Sequence, residues 1–204
     1  MAAMASPPAR PLPSGTDRIA RWAARNGFHW QSIPGQDWFH AWEPYDTMVS
    51  PPRYINSVSR PYRRGAITFV EPWMADEDSD PIDRTWLTFA CHPRLIRKAS
   101  ARVGESFLTR VAFIETPPPP KVVLGDEAWD GWATTFAQHP SHAQAAFRPQ
   151  LRELLRAWSF QGHIELRPGG LVMQVAGMGP TPENLEALVK FAPAVLDAAL
   201  EERG

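Results

Sequence analysis

Cysteine is almost absent from this chain, since Cys91 is the only one. An intramolecular disulfide is therefore excluded, and this cysteine usage is typical of a reducing compartment. No apolar run approaches the roughly 20 residues that a membrane-spanning helix needs, and the N-terminal stretch MAAMASPPARPLPSG lacks the apolar core of a secretory signal. We therefore expect a soluble cytoplasmic protein without a membrane span.

The chain also lacks an excess of positive or negative charge, because the formal net charge is only −1. A general nucleic-acid-binding protein normally carries a basic excess, so we expect no nucleic-acid partner. The chain contains no G-x-x-x-x-G-K-[ST], G-x-G-x-x-G, H-E-x-x-H or G-x-S-x-G motif. The common phosphate-cradling, dinucleotide-binding, zinc-protease and serine-hydrolase signatures are thus missing, and we expect no cofactor.

Nine tryptophans in 204 residues are the unusual feature of the composition. Aromatic clusters build ligand pockets in some proteins, but they more often supply core area. Apolar residues alternate or recur at helical spacing along most of the chain. The pattern predicts one α+β domain over residues 14–204, with a largely antiparallel sheet of about six to eight strands and helices packed against it.

Local signals place the elements of this domain. Strands are predicted near 28–31, 54–59, 66–71, 86–91, 107–115 and in a hairpin over 163–176, and an extended path near 132–137. Helices are predicted after Thr16, after Pro149 and after Thr181, and the last of these should kink or break at Pro193. Residues 1–13 are predicted to form a disordered tail, 74–83 a mobile acidic loop and 116–120 a proline connector.

Six side chains could support an alternative function, that of a small-molecule-binding protein or an enzyme. This alternative requires at least two of them to meet in one pocket. Neighbouring residues on a strand point to opposite faces, which disfavours a direct Cys91–His92 pair. The acids beside the predicted turn are explained as helix-start residues, and the histidines lack further ligands for a metal, so we expect no metal site. The six residues are His29, His40, Cys91, His92, Asp126 and Asp130.

A segment dense in aromatic residues is the preferred candidate for a functional surface. It is predicted to form an irregular loop, and it holds more large apolar side chains than a loop requires. Exposed apolar patches of this kind tend to mark interfaces. We therefore predict a cytoplasmic binding or regulatory module that acts through protein or ligand contacts without catalysis, using Trp30, Trp38, Phe39 and Trp42.

Four stretches of the chain carry a resemblance that spans residues 17–200. They are RWAARNGFHW, NSVSRPYRRGAITFVEP, LGDEAWDGWATTF and FRPQLRELL. On these stretches the chain resembles a family of actinobacterial-type soluble domains, some attached to membrane segments, which has no established activity. Trp129 stands where the family pattern suggests Phe. The resemblance implies a fold and an origin, and no catalytic residue follows from it. A phage- or toxin-related accessory protein of the immunity type is a further alternative.

Overall fold

Nine antiparallel strands form one sheet in the computed structural model, which describes residues 12–41, 51, 53–73, 84–104 and 119–200. The strand order is β1-β2-β3-β4-β9-β8-β5-β7-β6. The strands are β1 His29–Gln31, β2 Arg53–Tyr62, β3 Gly65–Trp73, β4 Leu87–Cys91, β5 Ala99–Val103, β6 Lys121–Val122, β7 Thr134–Phe136, β8 Gly162–Arg167 and β9 Gly170–Val175.

Six helices accompany this sheet in the described part of the chain. They are α1 Thr16–Arg25, α2 Gln36–Ala41, α3 Glu127–Asp130, α4 Pro140–Ala146, α5 Pro149–Ala157 and α6 Pro182–Leu200. The predicted α+β class and the largely antiparallel sheet are confirmed. No helix within the described ranges is both long and apolar enough to cross a membrane.

The predicted number of strands, six to eight, was too low. One strand that is not among the predicted ones is β5, which lies in a basic stretch after Leu95. Its residues Ala99, Ala101 and Val103 are buried on one face of the sheet, while Arg102 lies on the other. Small apolar residues alternating with polar ones give a weak local signal, and pairing with β8 and β7 supplies the rest.

Several predictions fall on residues outside the described ranges. They concern most of the N-terminal tail, the acidic loop 74–83, the strand near 107–115, most of the proline connector and Trp42.

One face of the sheet carries the main core. Ile67, Phe69, Leu171 and Met173 from the central strands are buried there. They belong to the same apolar cluster as the buried stripes of α1, α5 and α6. Large aliphatic and aromatic side chains fill this side, and each fully buried one contributes about 1.5–3 kcal/mol relative to exposure.

A kink or break was predicted at Pro193, and helix α6 runs through that residue without a break. A proline in a helix interior costs about 3 kcal/mol because a hydrogen bond is lost. The flanking residues Ala192 and Val195 are fully buried, and Phe191 stacks on Trp158 with ring centroids 3.7 Å apart. Packing of the apolar stripe offsets the cost of the proline.

The opposite face of the sheet carries a smaller apolar cluster under α2. Its members are buried side chains from β2, β3, β4, β9 and α2, namely Phe39, Tyr54, Val70, Leu87, Phe89 and Val172. This cluster covers only part of that face. Next to it, the sheet surface is made of small and polar residues, which leaves room beside α2.

Candidate binding groove

A groove of about 490 Å³ opens between α2 and the face of strands β1 to β4. Its volume lies within the roughly 300–1,000 Å³ that is usual for small-molecule sites. One wall consists of the aromatic residues of α2 with the preceding Pro34-Gly35 step, and the floor is the sheet itself. The lining residues are Gln31, Pro34, Gly35, Trp38, Phe39, Ser57, Ser59, Gly65, Ala66, Thr68 and Cys91.

The wall of the groove is held in place by Gln36 at the start of α2. Its side-chain Oε1 accepts a hydrogen bond from the backbone N–H of Tyr54 at 2.6 Å, and its Nε2 donates to the Tyr54 carbonyl at 3.1 Å. Phe39 enters the small cluster with its ring 5.0 Å from Tyr54 and 5.5 Å from Phe89. A six-residue helix is marginal alone, so these contacts fix α2 on the sheet.

Trp38 forms the exposed part of this wall. Its ring meets Phe39 edge-on at 4.9 Å and Phe89 at 5.5 Å, while 41% of the residue stays exposed. Aromatic pairs favour such edge-to-face contacts. The indole is therefore oriented by its neighbours and still presents much of its surface to an incoming group.

The floor of the groove is flat because its residues are small. Ser59 pairs with Thr68 across β2 and β3, and Ala66 pairs with Cys91 across β3 and β4, so these side chains share one face. Gly65 ends the floor, and a Cβ there would collide with the carbonyl of Cys91. Large side chains at these positions would fill the space beside α2.

A β-bulge in β2 sets the register of the floor. Pairing with β3 shifts between Ile55 and Val58, and Asn56 adopts a left-handed conformation with φ of 52°. The Asn56 side chain donates to Glu71 Oε2 at 2.9 Å, and Arg84 pairs with the same buried carboxylate. Bulges redirect side chains, and this one is fixed by a buried network immediately before Ser57.

Two hydroxyls on the floor have no hydrogen-bond partner among the residues that the structure describes. Ser57 is 4% exposed and Thr68 is 8% exposed, and both line the groove. Within the described ranges, neither side chain forms a hydrogen bond, nor do those of Ser59 and Gln31. Neither hydroxyl oxygen is among the fully shielded side-chain atoms that lack a partner, so both are open to the solvent of the groove. An unused row of donors and acceptors is therefore available to a ligand in the groove.

Among the described residues, the lining of the groove carries no charged side chain. Its single thiol, Cys91, is not activated: burial raises the pKa of Cys91, and the nearby Arg167 lowers that pKa by a smaller amount. The thiolate is the reactive form of cysteine. The groove therefore offers hydroxyl, amide and aromatic contacts and no activated nucleophile.

The six chemistry-capable residues do not converge. Among the described residues, no hydrogen bond joins any two of their side chains. His29 is exposed on β1, whereas His40 packs against the Tyr54 ring at 5.4 Å. His92 is buried, and its Nδ1 accepts the Arg94 N–H at 3.2 Å. Burial and the neighbouring arginines Arg94, Arg63 and Arg64 lower the pKa of His92.

The two aspartates lie at the other end of the sheet and are fully engaged in structure. Asp130 accepts the backbone N–H groups of Leu124, Gly125 and Asp126 at 2.9–3.1 Å. Asp126 caps α3 by accepting the Trp129 N–H at 3.1 Å and pairs with Arg152 Nε at 2.8 Å. Seven strand spacings of about 4.8 Å separate β1 from β7, on the order of 30 Å.

The described aromatic residues that were predicted to form one surface lie on different faces of the sheet in the structure. Trp38 and Phe39 line the groove from α2, a short helix where the sequence predicted an irregular loop. Phe39 is 4% exposed and serves mainly as packing. Trp30 pairs with Val58 and packs against the main core on the other face of the sheet. Trp42 lies outside the described residues.

The floor residues were missed by sequence reasoning, although a signal exists. In NSVSR the small hydroxyl residues Ser57 and Ser59 flank the apolar Val58, and Thr68 stands between Ile67 and Phe69. Period-two alternation places the hydroxyls of each strand on one face. What the sequence does not give is the register that brings the two rows together.

Groups of three or more His, Cys, Asp or Glu side chains able to hold a metal ion are absent from the described residues. No protein-family model and no curated protein matches the chain. One solved structure with a similar fold is the mycobacterial trehalose monomycolate transport factor A, at 10% identity and a TM-score of 0.58. The match covers 93% of this chain and 98% of that one. This likeness shows the shared fold alone.

Proposed function

We propose that this protein is a non-catalytic binding module whose ligand or partner occupies the groove beside α2. The observation that carries the proposal is the combination of an exposed, oriented Trp38 with floor hydroxyls that have no partner among the described residues. Sites of this composition, apolar walls with a few convergent polar groups, are typical of binding pockets. A cytoplasmic location, suggested by the single cysteine, belongs to the same proposal.

The arrangement of ionisable groups supports binding without chemistry. General acid–base catalysis requires a titratable side chain within hydrogen-bond reach of the reacting group. In the described part of the chain, the groove lining contains only one titratable group, the Cys91 thiol, and burial raises the pKa of that thiol. The neighbour of similar fold is named a transport factor, which is compatible with a non-catalytic role, but at 10% identity it adds no residue to the proposal.

A capture experiment tests this proposal. The tagged protein, its Trp38→Ala variant and its Val123→Ala variant are recovered from the native cell, and co-purifying proteins and small molecules are identified by mass spectrometry. Val123 is a matched control because it is also an exposed apolar residue and lies beyond β6, at the far edge of the sheet.

We expect a species that is retained by the wild type and by Val123→Ala and lost from Trp38→Ala. Equal capture by all three proteins would overturn the groove as the binding site. If the Trp38-dependent species is one protein, the module acts on a protein partner, as an immunity-type protein does.

A further inference from the structure

We infer that the groove binds a neutral saccharide unit that carries an apolar substituent. The inference rests on the proposed function, because it names the chemical class of the occupant of the same groove.

The floor favours a ligand with many hydroxyl groups. Ser57, Ser59 and Thr68 supply hydroxyls that can each donate and accept, and Gln31 supplies both an amide donor and an acceptor. Their spacing follows the β-sheet, with Ser59 directly opposite Thr68 and Gln31 opposite Ser57. A saccharide presents hydroxyls of the same dual character at several neighbouring positions, so it can satisfy this row where an ordinary alkyl or aromatic ligand cannot.

The wall favours a ligand with an apolar face. A sugar ring has one face of C–H bonds, and such a face packs well against a flat aromatic surface. Trp38 provides that surface, and contacts with Phe39 and Phe89 hold its ring in one orientation. An aromatic side chain that is already ordered loses little conformational entropy on binding.

The absence of charge from the lining disfavours phosphorylated, sulfated or carboxylated ligands. An ion that leaves water needs a counter-charge, and burying it without one is costly. The eleven lining residues that the structure describes include no Asp, Glu, Lys, Arg or His. The saccharide should therefore be neutral.

The mouth of the groove favours an apolar substituent on that saccharide. Ile33, which directly precedes the lining residue Pro34, is 57% exposed, and Trp38 is 41% exposed. These are two of the few large apolar side chains left exposed in the described ranges. Trp38 lines the opening together with Pro34 and Phe39, and these side chains form a small apolar surface that an alkyl group can cover. A peptide segment is a poorer fit, because the floor is a sheet face whose backbone groups are already paired.

Isothermal titration calorimetry of the full chain tests the inference with four probes kept below their micelle-forming concentrations. Octyl β-glucoside carries the neutral head and the tail, glucose only the head, 1-octanol only the tail, and octyl sulfate a charged head. We expect octyl β-glucoside to bind at least about tenfold more tightly than any of the other three.

Three variants locate the binding site. Trp38→Ala should weaken octyl β-glucoside about tenfold or more, and Thr68→Val, which removes one hydroxyl at constant shape, about three- to tenfold. Val123→Ala should leave the affinity unchanged. Thr68→Val should not weaken 1-octanol, because that ligand has no sugar for the floor.

Binding of 1-octanol or octyl sulfate as tight as that of octyl β-glucoside would overturn the saccharide assignment and leave the groove as a binding site. So would an absence of glycoside binding while capture from the cell still depends on Trp38. Glycoside binding that neither Trp38→Ala nor Thr68→Val weakens would place the sugar elsewhere and overturn the inference.

Discussion

Trp38 and Trp129 belong to two regions that look alike in sequence and differ in structure. Both tryptophans have aromatic neighbours and lie within a few residues of an aspartate, Asp37 or Asp130. Trp129 is fully buried, and its Nε1 donates to Thr135 Oγ1 at 2.9 Å. Trp38 is 41% exposed, beside hydroxyls that have no partner in the described ranges.

The difference teaches how to separate structural from functional polar groups in this fold. Around Trp129, three polar side chains have structural roles: Asp126 caps a helix, Asp130 closes a turn and Thr135 accepts from the indole. Around Trp38, the polar side chains on the groove floor form no hydrogen bond within the described part of the chain. Polar side chains that form hydrogen bonds within the protein stabilise the fold, and those that form none remain available to a ligand.

The largest contrast is expected from removing each indole. Trp129→Ala should lower the free energy of unfolding by about 3–5 kcal/mol, because it leaves a cavity in the main core and removes an indole hydrogen bond. Trp38→Ala should lower it by about 1–2 kcal/mol, because the residue is partly exposed and loses its edge-to-face contacts with Phe39 and Phe89. Urea denaturation of the two variants and the wild type measures both values, and equal losses would contradict the distinction.

One substitution made at two sites sharpens the contrast. Thr135→Val should cost about 1–3 kcal/mol, because the buried Trp129 Nε1–H loses its acceptor. Thr68→Val should change the stability by no more than about 0.5 kcal/mol, because no hydrogen bond is lost. The measurement is chemical denaturation in the absence of ligand. A loss at position 68 as large as that at position 135 would show that the Thr68 hydroxyl already has a structural partner.

The Asp126 carboxylate gives a pH-dependent test of the structural region. The Trp129 N–H, and then Arg152, hold the pKa of Asp126 below its usual range. A depressed pKa in the folded state stabilises the protein at neutral pH, and this contribution is lost as the pH falls through the folded value. Asp126→Asn retains a good helix cap and removes the charge, so it should be less stable than the wild type at pH 7.

The stability difference between Asp126→Asn and the wild type should shrink as the pH falls below about 4, the usual pKa of an aspartate. Thermal unfolding followed by circular dichroism at several pH values measures it. A difference that stays constant with pH would show that the charge of Asp126 has no part in the effect. Because the Asp126–Arg152 pair is partly exposed, the stability lost in Asp126→Asn should be the smallest of the expected losses in the structural region.

Local sequence patterns predicted much of the fold and little of the groove. Strand β4 and the hairpin of β8 and β9 were predicted because alternation and turn residues are local signals. The helix α2 was not, because six residues are too few for a periodic pattern and the Gln36–Tyr54 bonds that hold it join distant positions. The groove floor depends on strand register, which the Asn56 bulge and its contacts to Glu71 determine.

Of the aromatic residues that the sequence analysis grouped as one surface, Trp38 is exposed, whereas Phe39 and Trp30 are largely packing residues. The sequence could not distinguish these three because burial depends on which face of the sheet each one meets. Asp126 and Asp130 were interpreted as structural from their position beside a turn and a helix start, and their hydrogen bonds agree with that interpretation.

The most direct test of the groove is a ¹⁹F NMR titration of the 5-fluorotryptophan-labelled protein with octyl β-glucoside, in which Trp38→Phe and Trp129→Phe variants assign the two resonances. A binding groove beside α2 predicts a saturable shift of the Trp38 resonance with no movement of the Trp129 resonance. A Trp38 resonance that stays fixed while calorimetry detects binding, or equal shifts of both resonances, would contradict it.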